Sequence, residues 1–266
     1  MRIASLASSS QFGNAYLISY DQQHVLVDCG LGIKRMEASL AELRVDPAML
    51  SAVLVTHEHV DHIRAMQLKR PFPEKYGVKV FAPRLFWQTA PDIDAVPDSL
   101  RVSFSRAETF PIGCFEVTPI GKPHDSMVSV GFRVEVAGGP SAVVLTDLGE
   151  VPDEAIRLSR GANYIVIESN HDRHMELASG RPSSLINRVL SNWGHLSNEQ
   201  AGQALRSMVD LSTRGVLLAH LSLDCNTPRL ALSTVAPYLR QSGFSGVLEA
   251  AKPDGVTLLC DTDSGW

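Results

Sequence analysis

Residues 52–62 read Ala-Val-Leu-Val-Thr-His-Glu-His-Val-Asp-His, and this stretch constrains the chain more than any other. Its apolar, β-branched start, Val53-Leu-Val55, has the composition of a buried strand. Thr56 ends the run, and His57, Glu58, His59, Asp61 and His62 follow at once. So many ionisable groups behind a buried strand read as a metal site at the strand's end. Side chains two apart on a strand point the same way, so His57 and His59 are expected to grip one cation as a pair. Residues 63–70 have helical composition, which puts Asp61 and His62 where the chain turns into a helix, facing a second cation beside the first. Four ligands cannot close two metal spheres, so the rest of the chain must supply more.

Ligands of that kind are expected just past other apolar runs. His124 follows residues 117–123, Asp147 ends the run 142–146, Glu168 ends 164–167 and His220 ends 216–219. A fifth candidate, His195, precedes a helix start in Gly194-His-Leu-Ser197. A carboxylate has two oxygens and can hold an ion with each; Asp147, on a short side chain after a buried run, is the expected bridge.

Short strands are expected at 2–6, 15–20 and 24–28 as an antiparallel meander, then a helix at 34–43, a strand at 78–82 and a short helix at 83–89 bearing Phe86 and Trp87 as core residues. Residues 91–105, rich in Asp and Pro, read as a loop. Strands follow at 115–120, 130–136 and 142–146, with a hairpin turn at Gly138-Gly-Pro140. From Pro152 onward strands at 164–167, 216–219, 247–250 and 256–259 alternate with helices at 152–161, 183–190, 199–209 and 228–241; Ser197-Asn-Glu-Gln200 is a capping box. The pattern implies an α/β chain with two sheets face to face and helices outside, in a single domain over 1–266 with no low-complexity linker.

With 44% hydrophobic residues and a mean hydropathy of +0.01, the 266-residue chain has the composition of a folded, water-soluble protein. No apolar run is long enough for a bilayer and the N-terminus is too quickly polar for a signal peptide, so a cytoplasmic location without membrane contact is expected. Cys29, Cys114, Cys225 and Cys260 lack CxxC spacing, as reduced thiols would. The net charge of −5 offers no general basic field for nucleic acid, although bound cations would place positive charge where a phosphate must sit.

His57-Glu-His-Val-Asp-His62 resembles the HxHxDH motif of the metallo-β-lactamase superfamily, and Thr146-Asp-Leu-Gly149 looks like that superfamily's later Asp motif. The resemblance covers essentially the whole chain. Ser8-Ser-Ser-Gln-Phe-Gly-Asn14, Glu168-Ser-Asn-His-Asp172, Gly194-His-Leu-Ser-Asn198 and Leu218-Ala-His-Leu-Ser222 with Asn226 are further similar to the YycJ/WalJ group of bacterial enzymes. That likeness implies an αββα sandwich of two mixed β-sheets flanked by helices, a dinuclear centre and 5′-to-3′ exonuclease activity on DNA. It assigns His57, His59 and His124 to one metal, Asp61, His62 and His220 to the other, and Asp147 to the bridge. Glu168 and His195 fall where relatives of the tRNase Z type carry a proton-moving acid–histidine pair. Because Gly-His-Leu-Ser and Ala-His-Leu-Ser are so alike, the exchange of His195 and His220 stays open. Asn170, His171 and Asp172 are possible supports, and His174 is set aside as surface.

The expected chemistry is hydrolysis of a phosphodiester by a metal-bridging hydroxide, with Asp61, Glu168 and His195 serving the reaction and two divalent ions, zinc or manganese with iron also compatible, as cofactors. The substrate partner is expected to be a nucleic acid, DNA foremost; no protein partner can be inferred. Arg157, Arg160, Arg173, Arg181 and Arg188 flank the Glu168 motif and could follow a phosphate backbone or be solvated helix charge. The alternatives are an RNA or small-molecule (cyclic) phosphodiesterase of the same fold and a non-catalytic, metal-stabilised nucleic-acid-binding module.

Overall fold

The computed structural model describes residues 1–106 and 108–259; Cys260 lies outside them. Strands β1 (Arg2–Ser9), β2 (Gly13–Tyr20) and β3 (Gln23–Val27) form the antiparallel meander. Helix α1 (Ile33–Glu42) then carries the chain over to β4 (Leu50–Leu54), parallel to β3. The short helices α2 (Val60–Ile63), α3 (Phe72–Tyr76) and α4 (Phe86–Thr89) lie between and after the parallel strands β4 and β5 (Val80–Pro83), and β6 (Arg101–Phe104) closes that side.

The second sheet begins with β7 (Phe110–Ile112), β8 (Phe115–Gly121), β9 (Val130–Val136) and β10 (Ser141–Leu145), all antiparallel neighbours. Helices α5 (Asp153–Ser159), α6 (Arg173–Leu177), α7 (Ser183–Val189), α8 (Asn198–Met208) and α9 (Pro228–Gln241) connect the parallel strands β10, β11 (Tyr164–Glu168), β12 (Gly215–Ala219) and β13 (Val247–Ala250). Strand β14 (Thr257–Leu259) crosses back to pair antiparallel with β1. The described residues thus form two mixed sheets of seven strands, ordered β14-β1-β2-β3-β4-β5-β6 and β13-β12-β11-β10-β9-β8-β7.

Burial explains the layering. On β4, Ala52 and Leu54 join Tyr16, Phe132 and Leu217 between the sheets, while Val53 and, just past the strand, Val55 pack with Met36 and Leu40 under α1. On β10, Ala142 and Val144 face the same inter-sheet core, and Val143 and Leu145 pack with Leu205 and Val235 of α8 and α9. Both faces of these strands are covered, so they read as unbroken apolar runs with no alternation. Residues just past β3, β4, β10, β11 and β12 meet at one edge, the place where parallel strands commonly carry a binding site.

Three expectations need correction. The loop 91–105 ends in β6, an edge strand of four residues whose polar Arg101 and Ser103 hid it. The helix expected over 63–70 is only the single turn of α2 followed by a 3₁₀ turn, Arg64–Met66, because Ala65 N–H bonds Cys29 O, tying the segment to the loop after β3. His57 and His59 do not lie on a strand: β4 stops at Leu54, and both sit in the loop between it and α2. Phe86 is buried, and Trp87 packs beside it under the Arg101 guanidinium, so the aromatic pair is core as expected. None of the described helices is long and apolar enough to cross a membrane.

Candidate metal centre and active site

Strand ends set the geometry. Asp28 and His220 directly follow β3 and β12, and Asp147 lies two residues past the end of β10; their φ values are 62°, 54° and 58°. That left-handed turn is uncommon for residues other than glycine and is held here by the surroundings. The backbone N–H of His220 donates to Ser8 Oγ (2.7 Å), and its carbonyl accepts from Asn170 Nδ2 (2.8 Å). The loop bearing Asp61 is held as tightly: a Cβ on Gly30 would lie 1.6 Å from Asp61 O, and Gly13, at φ +101°, packs against Gly30 O in the same way.

The buried imidazoles share one device, in which one nitrogen is tied to an oxygen and the other turns inward. Thr56 Oγ1 donates its only proton to Asp28 Oδ2 (2.8 Å), so at 2.9 Å it accepts from His57 Nδ1. His57 Nε2 is therefore left as a bare, fully buried lone pair with no hydrogen-bond partner. Such an atom is costly unless a cation takes it, so the residues present fit a metal. His62 Nδ1 donates to Asp28 Oδ2 (2.6 Å) and presents Nε2 to Asp147 Oδ2 at 3.1 Å. His124 donates from Nδ1 to Gly194 O (3.2 Å), turning Nε2 to within 3.3 Å of His59 Nδ1.

Ligand atoms converge in four groups within 4.8 Å: His57, His59 and His124; His57, His62 and Asp147; Asp61, His62 and His220; and Asp147, Glu168, His195 and His220. The first could hold one ion and the third another, with Asp147 beside both. Glu58 stands apart, its Oε1 accepting from Met127 N (2.6 Å) and fastening the loop after His124.

Charge divides the two ends of the centre. Burial drives His57 well below its ordinary pKa and lowers His124 to about 3, so both are neutral donors. Burial also opposes charge on His62 and His220, but Asp147, together with Asp28 and Asp61 around His62 and with Asp61 and Glu168 around His220, outweighs it. His62 is raised to about 10 and His220 well above its usual value. Asp147, fully ringed by these imidazoles, stays ionised despite its burial.

His195 and His220 both place Nδ1 on Glu168 Oε1, at 2.8 and 2.7 Å. Glu168 Oε2 accepts the N–H groups of Leu148 and Leu196 (3.2 and 3.0 Å). Burial alone would raise this carboxyl; the two imidazoles, His195 first, hold it at about 2. The pair then parts. His220 Nε2 is 3.6 Å from Asp61 Oδ2, in the group with Asp61 and His62, whereas half-buried His195 lines a cleft of about 560 Å³ shared with Ser10, Asp61, Asp147, Arg181 and Arg188.

Of the five arginines singled out, Arg181 and Arg188 reach that cleft, anchored by Glu176 and Asp224 and by Asp125 respectively. Arg157 pairs with Glu154, Arg160 bonds Ser207 O, and Arg173 is exposed on α6. Asn170 lines the cleft, Asp172 caps α6 and His171 is buried; His174 is exposed. Reading the sequence missed Asp28, Thr56, Asn14 and Lys122. Asn14 Nδ2 donates to Asp61 Oδ2 (3.1 Å), and buried Lys122 donates to Asp147 O (2.7 Å). Asp28 carried a usable signal, since it ends the apolar run Val25–Val27 as Asp147 ends its own.

This sandwich, with histidines and carboxylates gathered at one edge, is the metallo-β-lactamase fold. The family model of the beta-lactamase superfamily domain matches residues 23–221, and the chain belongs to that superfamily. The metallo-beta-lactamase fold protein YhfI from Bacillus subtilis superposes with a TM-score of 0.69 at 18% identity, covering 97% of this chain and 100% of that one. Zn²⁺-bound PqqB from Methylobacterium extorquens gives 0.72 at 17% identity over 97% and 99%. Among named relatives, the exodeoxyribonuclease YycJ of Bacillus anthracis is 34% identical over 247 residues, 92% of each chain. The exodeoxyribonuclease WalJ of Streptococcus pneumoniae D39 is 31% identical over 264 residues, 97% of each. The chain is a metal-dependent hydrolase of this fold.

Proposed function

We propose that the chain is a dinuclear-metal phosphodiesterase that digests DNA from the 5′ end. The observation that carries this reading is the arrangement around Asp147: a three-histidine group on one side, Asp61, His62 and His220 on the other, and His195 beyond them in the cleft. DNA as substrate is supported by the two exodeoxyribonuclease relatives, aligned over nearly their full lengths. Zinc and manganese both suit this all-nitrogen-and-oxygen donor set, and iron is compatible with it. We also read residues 1–266 as one domain; the free thiols of Cys29, Cys114 and Cys225 support a reducing, cytoplasmic setting.

His57, His59 and His124 would hold one ion, Asp61, His62 and His220 the other, and Asp147 would lie between them. When bound, such ions lower the pKa of water and neutralise charge that grows on phosphoryl oxygens. The protein's own part is orientation and proton transfer. Glu168 fixes His195 through Nδ1, so that Nε2 is the atom aimed at the departing sugar oxygen and would deliver its proton there. As the water oxygen bonds to phosphorus and the bond to the sugar oxygen breaks, that proton passes to the leaving group. His195 then recovers a proton from the water consumed. Arg181 and Arg188, fixed by their carboxylate partners, face the phosphate-bearing cleft.

The test uses protein stripped of metal and resupplied with Mn²⁺ or Zn²⁺, a DNA labelled at its 5′ end, a matched RNA and an Asp147→Ala control. Release of labelled mononucleotide from DNA by wild type alone is expected. Intact polymers alongside brisk turnover of a small phosphodiester would contradict the DNA reading.

A further inference from the structure

A second groove, about 470 Å³, adjoins the catalytic cleft and shares Gln11 with it. Its walls are Phe12, Lys34, Arg35 and Arg64, with the exposed Leu68 at its edge. Lys69 and Arg70, the next two residues, are exposed as well. In a chain of net charge −5, this gathering of cations is a local reversal of sign.

The groove is built on the same loops as the candidate metal centre. Arg64 stands two residues past His62, within about 7 Å along the chain. Cys29 N–H bonds His62 O (2.8 Å) and Gly30 N–H bonds Asn14 O (2.9 Å), so the segments carrying Phe12 and Lys34 are locked to the one carrying Asp61. The Arg35 guanidinium lies over the Phe12 ring, 5.2 Å from its centroid, and pairs with Asp254. Glu37 on the same helix is engaged by Lys75. Among the described residues Lys34 and Arg64 form no ion pair; Lys34 acts on Glu37 only as a more distant charge, and both side chains line the groove where an incoming anion would sit.

Cations beside an aromatic ring, continuous with a cleft that handles phosphodiesters, match the chemistry of a single-stranded polynucleotide, whose phosphates alternate with stacking bases. We infer that this groove holds the uncleaved part of the substrate strand, with Lys34 and Arg64 on its phosphates, while the terminal nucleotide occupies the catalytic cleft. The inference rests on the phosphodiesterase reading above.

It is tested with metal-loaded wild type and Lys34→Glu/Arg64→Glu protein on two substrates, a single-stranded 20-mer and the p-nitrophenyl ester of thymidine 5′-phosphate, which is too short to reach the groove. The variant is expected to raise KM for the 20-mer about tenfold and to flatten its dependence on log salt by about 1.4, two phosphate contacts at about 0.7 each. Its hydrolysis of the small ester and its metal content should match wild type. If charge reversal unfolds the protein, Lys34→Gln/Arg64→Gln provides the same comparison. An unchanged KM and salt slope, with wild type digesting the 20-mer, would overturn the groove and leave the phosphodiesterase standing. A wild type that hydrolyses the ester but leaves the 20-mer whole would overturn the polynucleotide reading and the groove with it.

Discussion

Nδ1 of His62 lies 2.6 Å from Oδ2 of Asp28, and both side chains are fully buried. The same carboxylate also accepts from Thr56 Oγ1, and through it fixes the tautomer of His57. Asp28 therefore orients an imidazole on each side of the centre without standing among the ligand atoms. Outer partners of this kind govern metal affinity by about 10- to 100-fold. Asp28→Asn keeps the shape and tolerates the left-handed turn but loses the charge. It should weaken metal binding by about that range, read by competition with a chromogenic chelator; wild-type affinity would refute the role.

The shared oxygen of Glu168 gives His195 and His220 opposite expected phenotypes. His195→Ala should keep metal content and lose about 10²- to 10⁴-fold in turnover, the usual contribution of a positioned general acid. His220→Ala should lose metal as well, by elemental analysis. Full activity in His195→Ala would remove the proton-donor role, and metal loss in His195→Ala alone would exchange the two residues.

Protonation sets a pH signature for the metal-free protein. His62, at about 10, and His220 are raised above their unfolded values by the surrounding carboxylates, against the opposing effect of burial. Their contribution to stability is complete below about pH 6.5 and lost as pH climbs through the folded pKa values. Between pH 6.5 and 10 the Tm of metal-free protein should fall more steeply than that of metal-loaded protein, in which cations replace these protons. Parallel Tm profiles in scanning calorimetry would contradict this.

Gly30 has no room for a side chain, since its Cβ would meet the carbonyl of Asp61 at 1.6 Å. Gly30→Ala must displace the Asp61 loop, and should cost about 3 kcal/mol in denaturant unfolding and reduce metal retention. Gly32, with open space around its Cβ position, supplies the control, and Gly32→Ala should leave both unchanged.

The sequence made much of the candidate ligand set legible because Asp147, Glu168 and His220 stand at or just past the ends of strands buried on both faces, and such strands stand out as continuous apolar runs. His124 was reached from the apolar run before it and His195 from the helix start after it, and the structure gathers all five with His57, His59, Asp61 and His62. What stayed hidden depends on tertiary contact. Asn14 comes to Asp61 from 47 residues away, and Lys122 serves a carbonyl 25 residues on; neither has a local signature. The basic groove was equally invisible, because Phe12, Lys34 and Arg64 belong to three separate segments. The five arginines around Glu168 show the converse: closeness in sequence grouped them, yet only Arg181, in the loop before α7, and Arg188, on α7, reach the cleft.

The most direct test of the centre is anomalous diffraction from crystals grown with Zn²⁺. The expected result is two ions per chain, one among His57, His59 and His124 and one among Asp61, His62 and His220, with Asp147 touching both and His195 touching neither. A single ion, or a second ion ligated by His195 in place of His220, would contradict the assignment of metal and proton-transfer roles.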